Sequence, residues 1–177
     1  MKILKLLPQT TDDIAILLSW VKSEKELRQW AGPVIFSWPL SREQLSKYLA
    51  RMGGESPEVY IYKAIVEDNT MVGHIEFDKI DHHNKTAVLS RVIINPVLRG
   101  KGLGHEIVQS SLAMAFNNLK LNQVTLRVYD FNTSAIACYK AAGFSMVSSI
   151  QDPNKNSIES WDTQIMSLSS LEFQAKS

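Results

Sequence analysis

The stretch V-I-I-N-P-V-L-R-G-K-G-L-G-H-E-I-V, residues 92 to 108, constrains this chain most. An apolar run stops at Pro96, crosses a basic glycine-rich turn and enters a helical apolar pattern, so it reads as strand, anion-cradling loop and helix. Gly100, Gly102 and Gly104 remove side chains that would keep a ligand off the backbone, and successive N–H groups opening a helix form a concave, partly positive anion site. Such a site suits a pyrophosphate.

Spacing separates the kinds of nucleotide loop. A dinucleotide fingerprint needs G-x-G-x-x-G with an acidic residue about 20 positions on, and a Walker loop needs G-x-x-x-x-G-K-[ST]. Arg99-Gly100-Lys101-Gly102-Leu103-Gly104 fits neither. A second informative stretch, L-R-V-Y-D-F-N-T-S-A-I-A-C-Y-K-A-A-G-F from residue 126 to 144, reads as a strand, Asn132, a short helix carrying Tyr139, and a closing Gly143-Phe144.

Together the two stretches resemble the paired signatures of the GNAT superfamily of acyl-CoA N-acyltransferases. The glycine run matches its R/Q-x-x-G-x-G/A pattern, and Asn132 and Tyr139 hold its asparagine and tyrosine positions; the likeness covers roughly residues 60 to 168. It implies an α/β (α+β) fold: a mixed, mostly antiparallel central sheet flanked by helices, with an N-terminal helical insertion and a C-terminal β-hairpin. It also implies transfer of the acetyl group of acetyl-CoA to a primary amine, a small molecule or a peptide N-terminus, by direct attack in a ternary complex. In that family the strand before the glycine turn splays from its neighbour and pairs with the pantetheine amides; Val92, Ile93 and Ile94 hold that position. Arg99, Gly100, Lys101, Gly102, Leu103, Gly104 and His105 are then the diphosphate-binding set. By the same resemblance Tyr139 is the general acid that protonates the departing thiolate, and Asn132 contacts pantetheine, caps the helix, or does both.

The general base is where the chain departs from the family. Arg127 stands where some members carry a glutamate five residues before the asparagine, and Thr86, Ala87 and Val88 stand where others carry one. Glu76 is the candidate base, expected on the solvent face of its strand, with Asp130 and His74 behind it. The missing glutamate also supports an alternative of another class, a non-catalytic acyl-CoA-binding module. Trp30 and Trp38 fall in or beside the helical insertion, where the family forms one wall of the acceptor groove, and are candidate substrate contacts.

The remaining pattern fills in the elements. A strand over Lys2–Leu7 precedes a helix capped by Thr10 or Thr11, with Ile14, Leu17, Leu18 and Val21 as its apolar face. Helices follow at Glu24–Trp30 and after a capping box at Ser41–Gln44. Strands are predicted over Val59–Val66, Met71–Phe77, Ala87–Ile94 and Gln123–Tyr129, and a closing hairpin pairs Phe144–Ile150 with Ser157–Leu168 around Asp152-Pro153-Asn154. One domain over residues 1–168 is expected, with a cofactor half at about 87–145, an acceptor wall at about 10–60 and a frayed tail over 169–177.

Composition narrows the partners. Nineteen Lys and Arg balance eighteen Asp and Glu, so no strong field gathers nucleic acid or an anionic membrane. No apolar run reaches the roughly 20 residues of a membrane span, and the first residues are too short for a secretory core, so the expected compartment is the cytoplasm. Cys138 is the only cysteine, which leaves no intrachain disulfide. His82 and His83 read as a solvated turn, no metal is expected, and a monomer or homodimer is equally compatible with the pattern.

Overall fold

The computed structural model describes residues 5–153 and 161–175. A seven-stranded sheet runs through it in the order β1-β2-β3-β4-β5-β7-β6. The strands are β1 (Lys5–Pro8), β2 (Tyr60–Ile65), β3 (Met71–Asp81), β4 (Thr86–Ile94), β5 (Gln123–Tyr129), β6 (Ser145–Ile150) and β7 (Thr163–Ser169). Among the described residues, only β4 and β5 pair in parallel, because a helix carries the chain back between them. The start of the predicted first strand, the last residue of the predicted turn at 152–154 and residues 157–160 lie outside the described residues.

Helices α1 (Ile14–Trp20), α2 (Glu24–Ala31) and α3 (Arg42–Leu49) form the N-terminal insertion and cover one face of the sheet. Their inward residues, among them Ile14, Leu17, Leu27, Leu45 and Leu49, meet Val59, Ile61, Met71 and Ile93 of the sheet. The other face holds α4 (Leu103–Ala113) and α5 (Thr133–Ala142) against Ile75, Phe77, Leu89, Leu126 and Met166. Period-two alternation along the strands divides the two cores: Ile61 faces one layer and Tyr62 the other. Gly73 explains the close seating of α4, since a Cβ there would stand 2.5 Å from Cδ1 of Ile107.

Caps fix the helix starts. Thr10 caps the turn at Thr11–Asp13, its backbone N–H donating to Asp13, whose carboxylate also takes Lys63 Nζ at 2.7 Å. Ser41 caps α3 by accepting from Gln44 N–H, but the expected reciprocal box does not close. The Gln44 amide instead reaches back to backbone groups of Ser37 and Pro39, which the preceding loop leaves unpaired.

Two further expectations need correction, in β3 and at the C-terminus, and the helix after the glycine loop changes type at its end. Strand β3 runs on to Asp81, four residues past Phe77, because β4 begins at Thr86 and supplies partners that far. The helix after the glycine loop ends its α-helical part at Ala113 and continues as a wider π turn over Met114–Asn118, while Ala115 and Phe116 stay buried. Residues 169–175 do not fray: Ser169 and Glu172 close a capping box on α6 (Ser170–Gln174), and Phe173 packs on Phe116 with centroids 5.2 Å apart. No described helix is long and apolar enough to cross a membrane.

Candidate active site

The site begins where two parallel strands part. β4 pairs with β5 only from Thr86 to Leu89, opposite Gln123 to Leu126; beyond that, β5 keeps β7 as its partner and β4 keeps β3. A bulge in β4 accompanies the parting. Gly73 and His74 face Ile94 and Ile93, whereas Glu76 faces Ser90, so β4 fits an extra residue at Arg91–Val92. Arg91 takes a left-handed φ of 47°, a conformation non-glycine residues rarely adopt.

A cleft of about 670 Å³ opens in the gap. Val92, Ile93 and Ile94 line it from β4, and Asn132 and Tyr139 from α5. Arg99, Gly100, Gly102, Gly104 and His105 line it at the start of α4. Gly102, at φ 81°, caps that helix, and its carbonyl accepts the N–H groups of His105 and Glu106. The amides of Leu103 and Gly104 precede the first helical bond and have no partner within the helix. A Cβ on Gly104 would lie 3.1 Å from Ile94 Cδ1 and 3.7 Å from Cys138 Sγ, so β4, α4 and α5 converge closely there.

Tyr139 is partly buried, its ring edge-on to Phe144 at 5.9 Å. Burial pushes its phenol well above the ordinary value, with the neighbouring Cys138 adding to the effect. Asn132 caps α5 through Oδ1, which accepts from Ala135 N–H, while the residue also lines the cleft. A cap and a ligand contact therefore share one position. Burial likewise raises the Cys138 thiol, which disfavours a thiolate there.

Six sequence candidates stand away from this cleft's lining, among them buried His74 and exposed Asp130. Leu103 turns into the core at 1% exposure, because the first turn of α4 must bury its apolar face. Lys101 is exposed and does not line the cleft, and Trp38 is 42% exposed on the loop before α3. Glu76 is the largest correction: it is fully buried, not on a solvent face, because α2 and α3 cover that side of β3. Its carboxylate accepts Tyr48 Oη–H at 2.7 Å and Arg91 Nε–H at 2.6 Å, and meets His74 Nε2 at 2.8 Å. His74 Nδ1 in turn meets Gln9 Oε1, and Arg91 also bonds Asp78. Burial alone would disfavour the Arg91 charge, yet Glu76, Tyr48 and Asp78 more than offset it and hold the guanidinium protonated.

Sequence reasoning missed Glu26, Gln29 and Ser134, all of which line the cleft. Glu26 and Trp30 lie four apart on α2 and so share a face, which is a readable signal. What the sequence lacked was any indication that this face meets β4. Trp30 makes that contact by donating its indole Nε1–H to the Arg91 carbonyl at 2.8 Å, with its ring edge-on to His74 and stacked near Phe36. His82 bonds the Pro57 carbonyl, and Asp81 caps Asn84, so the turn at 81–84 is internally satisfied. No cluster of three His, Cys, Asp or Glu with metal-holding geometry exists among the described residues.

A strand edge released from its parallel neighbour, ending at a glycine-capped helix start, defines a class of fold that holds an extended anionic ligand along open backbone. The chain belongs to the acetyltransferase (GNAT) domain family, which it matches over residues 4–145. Among curated proteins it is 28% identical over 127 residues to the SPbeta prophage-derived uncharacterized N-acetyltransferase YokL of Bacillus subtilis (strain 168), covering 72% of this chain and 60% of that protein. It is 35% identical over 63 residues to the N-acetyltransferase 9-like protein of Caenorhabditis elegans, covering 35% of this chain and 31% of that one. The match thus spans less than two thirds of either relative. Among solved structures, spermidine N-acetyltransferase from Vibrio cholerae in complex with CoA and spermine superposes with a TM-score of 0.83 at 16% identity, covering 96% of this chain and 97% of that chain. At that identity the likeness establishes the fold.

Proposed function

We propose that this chain is an acetyl-CoA-dependent N-acetyltransferase that acetylates a primary amine by direct attack in a ternary complex. The observation that carries the reading is the gap after Leu89, where β4 leaves β5 with one strand edge unpaired and the cradle of Gly100, Gly102 and Gly104 at its end. The fit is chemical as well as geometric. Open backbone over Val92–Ile94 suits the two amides of pantetheine, and the α4 start with Arg99 suits a diphosphate.

When bound, acetyl-CoA supplies a thioester carbonyl for the amine and a sulfur that leaves needing a proton. Tyr139 holds a proton on Oη at every physiological pH and donates it to that sulfur. Glu26 lines the same cleft and offers a counter-charge to an incoming ammonium. That ammonium first gives up one proton to solvent, the neutral amine attacks the carbonyl, and the second proton lost from nitrogen restores the Tyr139 phenol by way of solvent. Trp30 and Trp20 line the acceptor end and help orient the amine, and holding both reactants together can supply roughly 7 to 11 kcal/mol in well-placed systems. A small-molecule amine and a cytoplasmic location belong to this same proposal; because the structural neighbour is a complex with spermine, polyamines are the acceptors to test first.

The test is calorimetric titration with acetyl-CoA, desulfo-CoA, ATP and NADH, followed by a thiol-release assay with amines. Binding of the CoA compounds alone, with thiol release that falls by about 10² or more in Tyr139→Phe at unchanged cofactor affinity, is expected. Binding of ATP or NADH in place of CoA overturns the reading.

A further inference from the structure

Glu76 has the wrong address for a base but the right one for something else. It lies beneath α3, outside the cleft lining; one carboxylate oxygen takes Arg91 at the bend in β4 and Tyr48 Oη, while the other meets His74. Arg91 sits at the centre of that bend, at a φ of 47°, with its side chain only 8% exposed. A left-handed arginine is strained, and such strain persists only where surrounding contacts over-determine it. Here they do: Glu76 takes Nε–H at 2.6 Å, Asp78 takes an Nη2–H, and the guanidinium lies 5.3 Å from the Tyr48 ring centroid. The carbonyl of that same bent residue receives the Trp30 indole, and Trp30 lines the cleft.

We propose that Glu76 is a positioning residue: through Arg91 it clamps the β4 bulge, which both frees the Val92–Ile94 edge for the cofactor and seats Trp30 as a wall of the acceptor end. The proposal rests on the acetyltransferase reading for what occupies the cleft, and on geometry alone for the clamp. The sequence of causes is local. The ion pair fixes residue 91, residue 91 turns its carbonyl to α2, and the extra residue of the bulge lets β4 drift from β5.

Glycine adopts a positive φ freely and alanine does not, so residue 91 itself gives the test. Arg91→Gly and Arg91→Ala are each combined with Glu76→Gln, so that the Glu76 carboxylate is not left buried without its cation; Asp78 keeps Arg51 Nη2 at 3.5 Å. Without ligand, exchange of the Trp30 indole N–H is followed by NMR, its resonance assigned by its loss in Trp30→Phe; CoA affinity is then measured by calorimetry. The clamp predicts indole exchange and CoA dissociation constant each about tenfold higher in the alanine variant than in the glycine variant. Equal values in the two variants overturn it. Should the alanine variant not fold, Glu76→Gln alone is compared with wild type: faster indole exchange and weaker CoA binding support the clamp, whereas unchanged affinity with a large loss of kcat makes Glu76 a base and overturns it. A protected indole in a wild-type protein that binds no CoA sinks the acetyltransferase reading and the cofactor half with it; an unprotected indole with intact CoA binding sinks the clamp alone.

Discussion

Gly102 and Gly104 lie two residues apart in one loop, and substituting each by alanine separates backbone freedom from ligand room. At Gly102 an added Cβ meets nothing within 4 Å, but the residue sits at φ 81° as the cap of α4. The cost is conformational: about 1 to 2 kcal/mol for an alanine held left-handed, or roughly 2 to 8 °C in Tm for a chain of this size. At Gly104 the backbone is helical, and alanine there gains up to about 0.5–1 kcal/mol in propensity. Against that gain its Cβ stands 3.1 Å from Ile94 Cδ1, so Ile94 must yield by a few tenths of an ångström. Stability at Gly104 therefore changes little, while the new methyl stands between β4 and the α4 start where a cofactor must approach the backbone. Loss of one charge-assisted hydrogen bond costs about 1.5 to 3 kcal/mol, so CoA affinity should fall by about ten- to a hundredfold in Gly104→Ala. Calorimetry with CoA and thermal melts of both variants measure the two effects. If Gly104→Ala melts several degrees lower with full CoA affinity, or Gly102→Ala melts with wild type, the assignment of cradle and cap is wrong.

Three further outcomes follow from the packing and the buried charges. Burial pushes the Asp78 carboxyl up, but the Arg91 bond and charge outweigh it and hold its pKa below the ordinary 3.8. A folded pKa below the unfolded one gives stability that is present above about pH 4 and lost as pH falls through the folded value, so urea midpoints should drop more steeply there in wild type than in Asp78→Asn. Parallel pH profiles for the two proteins would refute this. Gly73→Val should lose about 1 to 3 kcal/mol by overpacking Ile107, and adding Ile107→Ala should recover part of that loss in denaturant titrations; strict additivity would place the clash elsewhere. Phe173→Ala should lower Tm by about 2 to 6 °C through the Phe116 contact, and an unchanged Tm would return the C-terminal segment to a frayed tail.

The two motif stretches were legible because local chemistry demands their residues. Gly102 must cap α4 with a positive φ, Asn132 must cap α5, and the alternation of Val124, Leu126 and Val128 must make a strand with one buried face. Each is a short-range requirement, met by residues adjacent in the chain, so the order of strands and helices followed from the sequence down to boundaries within a few residues. The closing capping box of Ser169 and Glu172 was equally local and was readable in S-x-x-E, yet the polar tail composition masked it.

Glu76 shows where local reading ends. The alternation of His74, Glu76 and Asp78 with Ile75 and Phe77 says which residues share a face of β3, and nothing in it says what covers that face. The helical insertion supplies the cover from more than 25 positions away, through Tyr48 Oη on Glu76. The same long-range packing sets Trp30 on the Arg91 carbonyl, 61 positions along the chain, and sends Trp38 to the surface. Sequence by itself determined the elements, the family signatures and the residues able to cradle an anion, since these depend on backbone conformation and neighbouring side chains. Only tertiary structure decided that β4 bends at Arg91, that the parting from β5 implied by the family signature falls after Leu89, and that a carboxylate with a base's chemistry lies buried as an arginine's partner, because burial and ion pairing are properties of which elements come to lie together.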